Sequence, residues 1–278
     1  MSHDPVVIAS YARTPMGGFQ GDFSSVSASE LGATVVREVV ARAGISVDLV
    51  DELVFGNCLM AGQGQAPARQ AALKGGLPTS VNCTTLSKMC GSGMKTIMLG
   101  HDMLKAGSNR VVIAGGMESM TNAPYILPKA RGGYRLGHGE LKDHMFLDGL
   151  EDAYNPGRLM GTYAEDTAAH YGFTRGQQDE FAMTSLARAQ AAIKDGRFKN
   201  ESVPVTVSSR KGDVSIDIDE QPGKASADKI PQLKPAFRKD GTVTAANSSS
   251  ISDGAAAVVL MCESDAKAAG LKPLARIV

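Results

Sequence analysis

The chain reads as a layered α/β protein interrupted by a long inserted segment, and three observations carry that reading. Short apolar runs alternate with helical stretches up to about residue 120; glycine, proline, histidine and charge then mark a long middle segment; the apolar pattern returns near residue 251. The expected core is therefore residues 1–120 and 251–278, with 121–250 inserted as an α+β loop domain.

Taken in order, VVIAS at 6–10 reads as a short buried strand, and Leu31, Val35, Val36, Val39 and Val40 share one face of a helix over 29–43 that Gly44 ends. A strand at 53–55 precedes a Gly/Gln loop and an alanine-rich helix at 67–74. Then come a strand at 81–86, a helix at 92–105 and the strand VVIA at 111–114, which a double glycine closes as a tight turn. In the insertion, helices are expected at about 162–171 and 175–193, the second opened by Thr174 and Gln177 at capping-box spacing. VPVTV at 203–207 and SIDID at 215–219 alternate as small strands. AAAVVL at 255–260, a helix near 264–269 and a last strand at 274–278 complete the pattern.

Bulk properties narrow the function. With 278 residues, 43% hydrophobic, the chain is long enough to bury a large core, and 29 basic against 29 acidic residues leave no global field for nucleic acid or an anionic membrane. No leader-like start or spanning apolar run is found, so a cytoplasmic protein is expected. Cys58, Cys83, Cys90 and Cys262 have neither zinc-site spacing nor disulfide-scaffold density, and His3, His101, His138, His144 and His170 form no metal-ligand pattern, so free thiols and no metal are expected.

The sharpest local signal is LSKMCGSGMKTIMLG at 86–100. A cysteine between a strand end and a helix start meets backbone N–H groups and the positive helix end, both of which favour thiolate. Gly91 and Gly93 keep its surroundings open. The pattern suits a nucleophile at Cys90 and equally accommodates a buried structural cysteine. TAANSSSISDGAAAVVL at 244–260 offers hydroxyls for a ligand amide or an ordinary serine-rich turn. GSG at 91–93 lacks the third glycine and acidic partner of a dinucleotide fingerprint, so no nucleotide cofactor is expected.

ARTPMGGFQG at 12–21, AGQGQAPARQAALKGGLP at 61–78, MCGSGMK at 89–95, AGGMESM at 114–120, LMGTYAE at 159–165 and NSSSISDGAAA from 247 occur in an order that resembles the thiolase family, most closely its biosynthetic acetyl-CoA acetyltransferases. The resemblance implies an αβαβα core and the joining of two acetyl-CoA into acetoacetyl-CoA and CoA, or the reverse thiolysis, through an acyl-cysteine. It makes Cys90 the acylated nucleophile, its own N–H part of an oxyanion hole, Ser249 a pantetheine contact, Met160 an acyl-pocket residue and Phe237 a CoA neighbour, with Lys224 the candidate basic contact. Leu159 stands where some members carry a histidine. CoA thioesters are substrates, and no cofactor or metal is implied. The resemblance also implies a tetramer with contacts near GGYRLGHGELKDHM at 132–145, and a role in fatty acid metabolism.

The family's second core domain, with its NEAF asparagine, GHP histidine and CGGG-like cysteine, is not matched by any segment. Little turnover is expected of this chain alone, because a catalytic unit missing one member loses most of its rate, and half of a two-domain core leaves an apolar face open to self-association. The other readings are a non-catalytic CoA-binding or assembly fragment, a 3-ketoacyl-CoA thiolase for longer chains, a decarboxylating ketoacyl synthase, and a redox thiol switch at Cys90.

Overall fold

The computed structural model describes residues 4–210 and 212–278; His3 lies outside them. In chain order the elements are β1 (Val6–Arg13), β2 (Gly17–Gly18), α1 (Ala28–Ala43), β3 (Glu52–Gly56), α2 (Pro67–Lys74), β4 (Asn82–Leu86), α3 (Ser92–Ala106), β5 (Val111–Ser119), β6 (Tyr125–Ile126), β7 (Lys142–Asp143), α4 (Met160–Tyr171), α5 (Arg175–Lys194), β8 (Val205–Ser209), β9 (Gly212–Ile216), α6 (Glu220–Lys224), β10 (Ser252–Cys262), α7 (Glu263–Ala268) and β11 (Ala275–Arg276). They form two compact units. The first comprises the described residues up to Asn122 with Phe198–Ile218 and Ser252–Val278; the second is Ala123–Arg197 with Asp219–Ile251.

The first unit is built on one mixed sheet, ordered β11-β1-β10-β5-β3-β4, with β2 paired to the start of β10. β3 lies parallel between β4 and β5, while β10 is antiparallel to both β1 and β5. Strand alternation divides the side chains between two faces. Leu53, Phe55, Ile113 and Val259 point to one, where they pack with Leu31, Val35, Val36 and Val39 of α1 and Ala68, Ala71 and Ala72 of α2. Val54, Val112, Ala114 and Leu260 point to the other and meet Leu104 of α3. Helices thus cover both faces of an α/β sheet.

α1 is set by local signals. Ser27 and Glu30 close a capping box at its start, and Gly44 in the left-handed region (φ 64°) ends it. Each fully buried Leu or Val on its inner face contributes about 1.5–3 kcal/mol. α3 lies the other way about: it turns Ser92, Thr96, Gly100 and Leu104 to the sheet, and leaves Met94 73% and Met98 52% exposed.

Two expectations are corrected. The double glycine is no turn: Gly115 and Gly116 run through the middle of β5, opposite Ala257 and Ala256 of β10 and Phe55 and Gly56 of β3. A Cβ on Gly115 would stand 2.1 Å from the Ala256 carbonyl oxygen, so the glycine is there because the strands pass too closely for a side chain. Nor is 121–250 one continuous insertion. Residues 198–218 belong to the first unit, where the Arg13 N–H donates to Glu201 O (2.8 Å), the Val203 N–H donates to Arg13 O (2.8 Å), and Val203 and Val205 join the core. The strands there are β8 and β9, a hairpin shifted from the two alternating segments named above.

In the second unit, α4 and α5 are joined by Gly172 and by the Thr174–Gln177 capping box. β6 and β7 pair to close the base of an exposed excursion. Among the described residues, no helix is long and apolar enough to cross a membrane and no cluster suits a metal ion.

Candidate active site

Cys90 lies in the first unit, exposed, in the turn between β4 and α3. That turn is narrow and held at three points. Met89 takes a left-handed conformation (φ 37°), a strained choice for a residue with a Cβ. Ser92 is buried, and its hydroxyl accepts from the Lys88 N–H (2.9 Å) and donates to the Met89 carbonyl (2.7 Å), so one side chain ties both residues that precede Cys90. The Cα of Gly56 faces Ser92 so closely that a Cβ would stand 2.6 Å from the serine's own Cβ. Below, the Thr96 hydroxyl accepts from the Gly115 N–H (3.0 Å) and shares its hydrogen between the carbonyls of Gly93 (2.7 Å) and Gly115 (2.8 Å), locking the first turn of α3 to β5.

The loop after β3 closes on the same turn. The Glu118 carboxylate, at the end of β5, accepts from the Asn57 side chain (2.7 Å) and from the N–H groups of Cys58 (2.8 Å) and Leu59 (3.2 Å). The Cys58 thiol donates to the Met89 carbonyl (3.0 Å) and lies 3.2 Å from the Ser92 hydroxyl. Burial pushes that thiol's pKa up; the Ser92 hydrogen bond opposes the shift and the Glu118 charge adds to it. α3 follows its N-cap Gly91 with no side-chain cap; the Gly91 and Ser92 N–H groups donate to the Lys88 and Met89 carbonyls (3.1 Å each), and the positive end of the helix dipole lies beside the turn that carries Cys90. Cys90 is thus an accessible thiol on a rigid, pre-shaped turn.

Sequence reasoning missed Met89, Ser92, Cys58 and Glu118. Ser92 was legible only as part of a flexible Gly-Ser-Gly run. Glu118 carried a usable signal, an acidic residue near the end of β5 between Met117 and Ser119, which are both buried.

The other four candidates lie in the second unit. Met160 opens α4 and is 43% exposed. Phe237 lies against the same helical turn: a Cβ on Gly161 would meet its ring at 2.3 Å. Phe237 therefore packs on the helical turn that Met160 opens, over a glycine that makes room for its ring. Ser249 is exposed just past a tightly tied turn. There the Asn247 side chain donates to Asp179 (2.9 Å) and to the Thr242 carbonyl (3.1 Å) and accepts from the Thr244 N–H (2.6 Å), while Glu165 accepts from the N–H groups of Thr242 (2.9 Å) and Val243 (2.8 Å). Lys224, at the end of α6, is ion-paired to Glu220 one turn earlier, so its amine is already engaged within its own helix.

Comparison with known proteins gives consistent matches. The family profile described as "Thiolase, N-terminal domain" fits residues 6–264. The chain is 50% identical over 274 residues to an acetyl-CoA acetyltransferase of Pseudomonas aeruginosa and 50% identical over 274 residues to one of Cupriavidus necator, each match covering 98% of this chain and 70% of the relative. The crystal structure of a Bacillus anthracis acetyl-CoA acetyltransferase superposes with a TM-score of 0.94 at 42% identity, covering 99% of this chain and 70% of that one.

Proposed function

The chain belongs to the thiolase family, and from that premise we propose that it acts in acyl-CoA acetyl transfer, with Cys90 as the acyl acceptor. The observation that carries the proposal is the exposed Cys90 thiol on a turn fixed by Ser92 and Gly56 at the uncapped start of α3. In the first half-reaction, the Cys90 sulfur attacks the thioester carbonyl of acetyl-CoA. A carbon–sulfur bond forms to Cys90, the bond to CoA breaks, and CoA leaves as a thiol. Charge developing on the carbonyl oxygen is met by the Cys90 N–H and by the dipole of α3, groups already in place before reaction. In the second half-reaction the α-carbon of another acetyl-CoA, deprotonated, displaces Cys90 and yields acetoacetyl-CoA.

That second step needs a base. The described histidine of the first unit is His101, bonded to Asp102 and nine residues into α3 from Ser92, about 13 Å along the axis at 1.5 Å per residue. It is too far to serve the sulfur. This supports reading acylation as the step the present residues are placed for, with full turnover depending on groups that this chain's first unit does not set beside Cys90.

For the substrate we assign the Ser249 hydroxyl to the pantetheine amides, Met160 to the acyl group and Phe237 to the CoA body. Lys224 is the weakest assignment, because Glu220 holds its amine. The excursion closed by β6 and β7 carries Leu136, 97% exposed, and Leu141, also exposed. Those apolar tips support reading it as an assembly contact of a tetramer. The balanced charge and the lack of a spanning helix among the described residues fit a cytoplasmic enzyme.

The test is chromatographic measurement of free CoA after mixing the chain with acetyl-CoA. One equivalent released by the wild type and none by Cys90→Ala is the expected result. Binding of CoA without release would overturn acetyl transfer and leave a CoA-binding fragment.

A further inference from the structure

The turn that carries Cys90 holds a second thiol. β3 and β4 are parallel neighbours with Gly56 opposite Leu86, so the loops after them leave the same edge of the sheet side by side, about 4.8 Å apart. Cys58 comes two residues after Gly56 and Cys90 four after Leu86. The Cys58 thiol rests on the carbonyl of Met89, the residue before Cys90, and beside the hydroxyl of Ser92, two residues after it. The other two cysteines are placed elsewhere. Cys83 is the second residue of β4, three residues upstream of the strand's end, with its thiol toward Val81; Cys262 ends β10 opposite Val6.

The geometry points to Cys58 as a resolving thiol for Cys90, so that a hydroperoxide converts the pair into a disulfide across the start of α3. Exposure divides the roles. Cys90 is open to solvent and meets the oxidant first, whereas Cys58 is half-buried behind Met89 and Ser92; burial also keeps its thiol protonated at neutral pH. In the first step the Cys90 thiolate attacks one peroxide oxygen. The sulfur–oxygen bond forms, the oxygen–oxygen bond breaks, and the leaving hydroxide takes a proton to become water. In the second step the Cys58 sulfur attacks the Cys90 sulfenic acid. The sulfur–sulfur bond forms, the sulfur–oxygen bond breaks, and a second water leaves with the Cys58 proton. Two thiols lose two electrons and two protons, and one hydrogen peroxide becomes two waters. The consequence is protection: Cys90 is diverted from irreversible sulfinic acid into a bond that a thiol reductant reopens. The inference needs Cys90 to be an accessible, unacylated thiol and does not depend on its serving as an acyl acceptor.

The test uses the full chain. It is exposed to dilute hydrogen peroxide, its remaining thiols are alkylated, and tryptic peptides are mapped; trypsin leaves Cys58 in 43–69, Cys83 in 75–88 and Cys90 in 89–95. The expected product is 43–69 joined to 89–95, two hydrogens lighter than the separate peptides and released by dithiothreitol. In Cys58→Ser the link disappears and Cys90 sulfenic acid, trapped with dimedone, rises above its wild-type level before going on to sulfinic acid. Cys83→Ser leaves the link unchanged. A wild type that forms dimedone-tagged or sulfinic Cys90 without the 43–69/89–95 link overturns the inference, as does a link to 75–88. The wild-type map decides the matter even where Cys58→Ser fails to fold. A link formed by a chain that releases no CoA from acetyl-CoA would sink the acetyl-transfer reading and leave this inference standing.

Discussion

At the scale of single residues, the nucleophile turn is governed by Ser92. Its hydroxyl satisfies two backbone groups, the Lys88 N–H and the Met89 carbonyl, around a left-handed Met89. Ser92→Ala leaves both without that partner and is expected to lower stability by about 1–3 kcal/mol, read as the shift of a urea melt at unchanged slope. It should also slow iodoacetamide alkylation of Cys90, and an unchanged melt and alkylation rate would show that the turn holds itself. Gly115 sets a harder constraint. A Cβ there meets backbone oxygen at 2.1 Å, which no rotamer relieves, so Gly115→Ala is expected to cost more than the roughly 1–3 kcal/mol of ordinary overpacking, measured by the same melt. The sequence made Cys90 legible because strand, cysteine, glycine and helix stand in order. It hid Ser92 and Cys58 because their roles depend on β3 and β4 being neighbours, a relation with no local signature. The same blindness turned the double glycine into a loop: a glycine needed for close approach and one needed for a turn look alike until the opposing strand is placed.

Among elements, α1 was legible from periodicity and Gly44, α2 from its run of alanines and α5 from the Thr174–Gln177 capping box, all signals carried by residues close in sequence, whereas the Ser27–Glu30 box that opens α1 went unread. The hairpin of β8 and β9 was not assigned to the core, since its attachment rests on Arg13 and Arg42 reaching residues 200–203 from far away in sequence. In the second unit, Glu165 is the element-scale hinge of stability, joining α4 to the turn before Ser249. Burial pushes its pKa up, but the Thr242 and Val243 N–H groups, the Thr242 hydroxyl and Arg238 outweigh burial and hold it below its usual 4.5. A depressed folded-state value means that these bonds contribute fully above the unfolded pKa, and the contribution is lost as pH falls through the lower folded value. Stability of α4 and the 242–248 turn is therefore expected to be flat from neutral pH down to about 5 and to fall below about 4.5. Glu165→Gln should flatten that acid limb and lower stability at pH 7, read by hydrogen exchange of the Thr242 and Val243 amides. Exchange rates equally sensitive to acid in both proteins would contradict the assignment.

For the whole molecule, the chain matches 70% of the length of its relatives, and α3 leaves two large apolar side chains, Met94 and Met98, exposed. Met94 and Met98 form an outward stripe, while Ser92, Thr96, Gly100 and Leu104 face the sheet, so α3 is apolar on more than its covered side, which sequence periodicity alone does not assign to a face. Self-association of the isolated chain is expected to run through this stripe, and Met94→Glu with Met98→Glu should reduce the associated fraction in sedimentation velocity while leaving the melt within about 0.5 kcal/mol. An unchanged distribution would place the contact elsewhere. Whether Cys90 accepts the acetyl group is decided by the intact mass of the chain after brief exposure to acetyl-CoA, with the adduct mapped to residues 89–95. One added acetyl group on the wild type, on Cys90, and none on Cys90→Ala is the expected result; an adduct that survives in Cys90→Ala, or none on the wild type, would rule out Cys90 as the acyl acceptor.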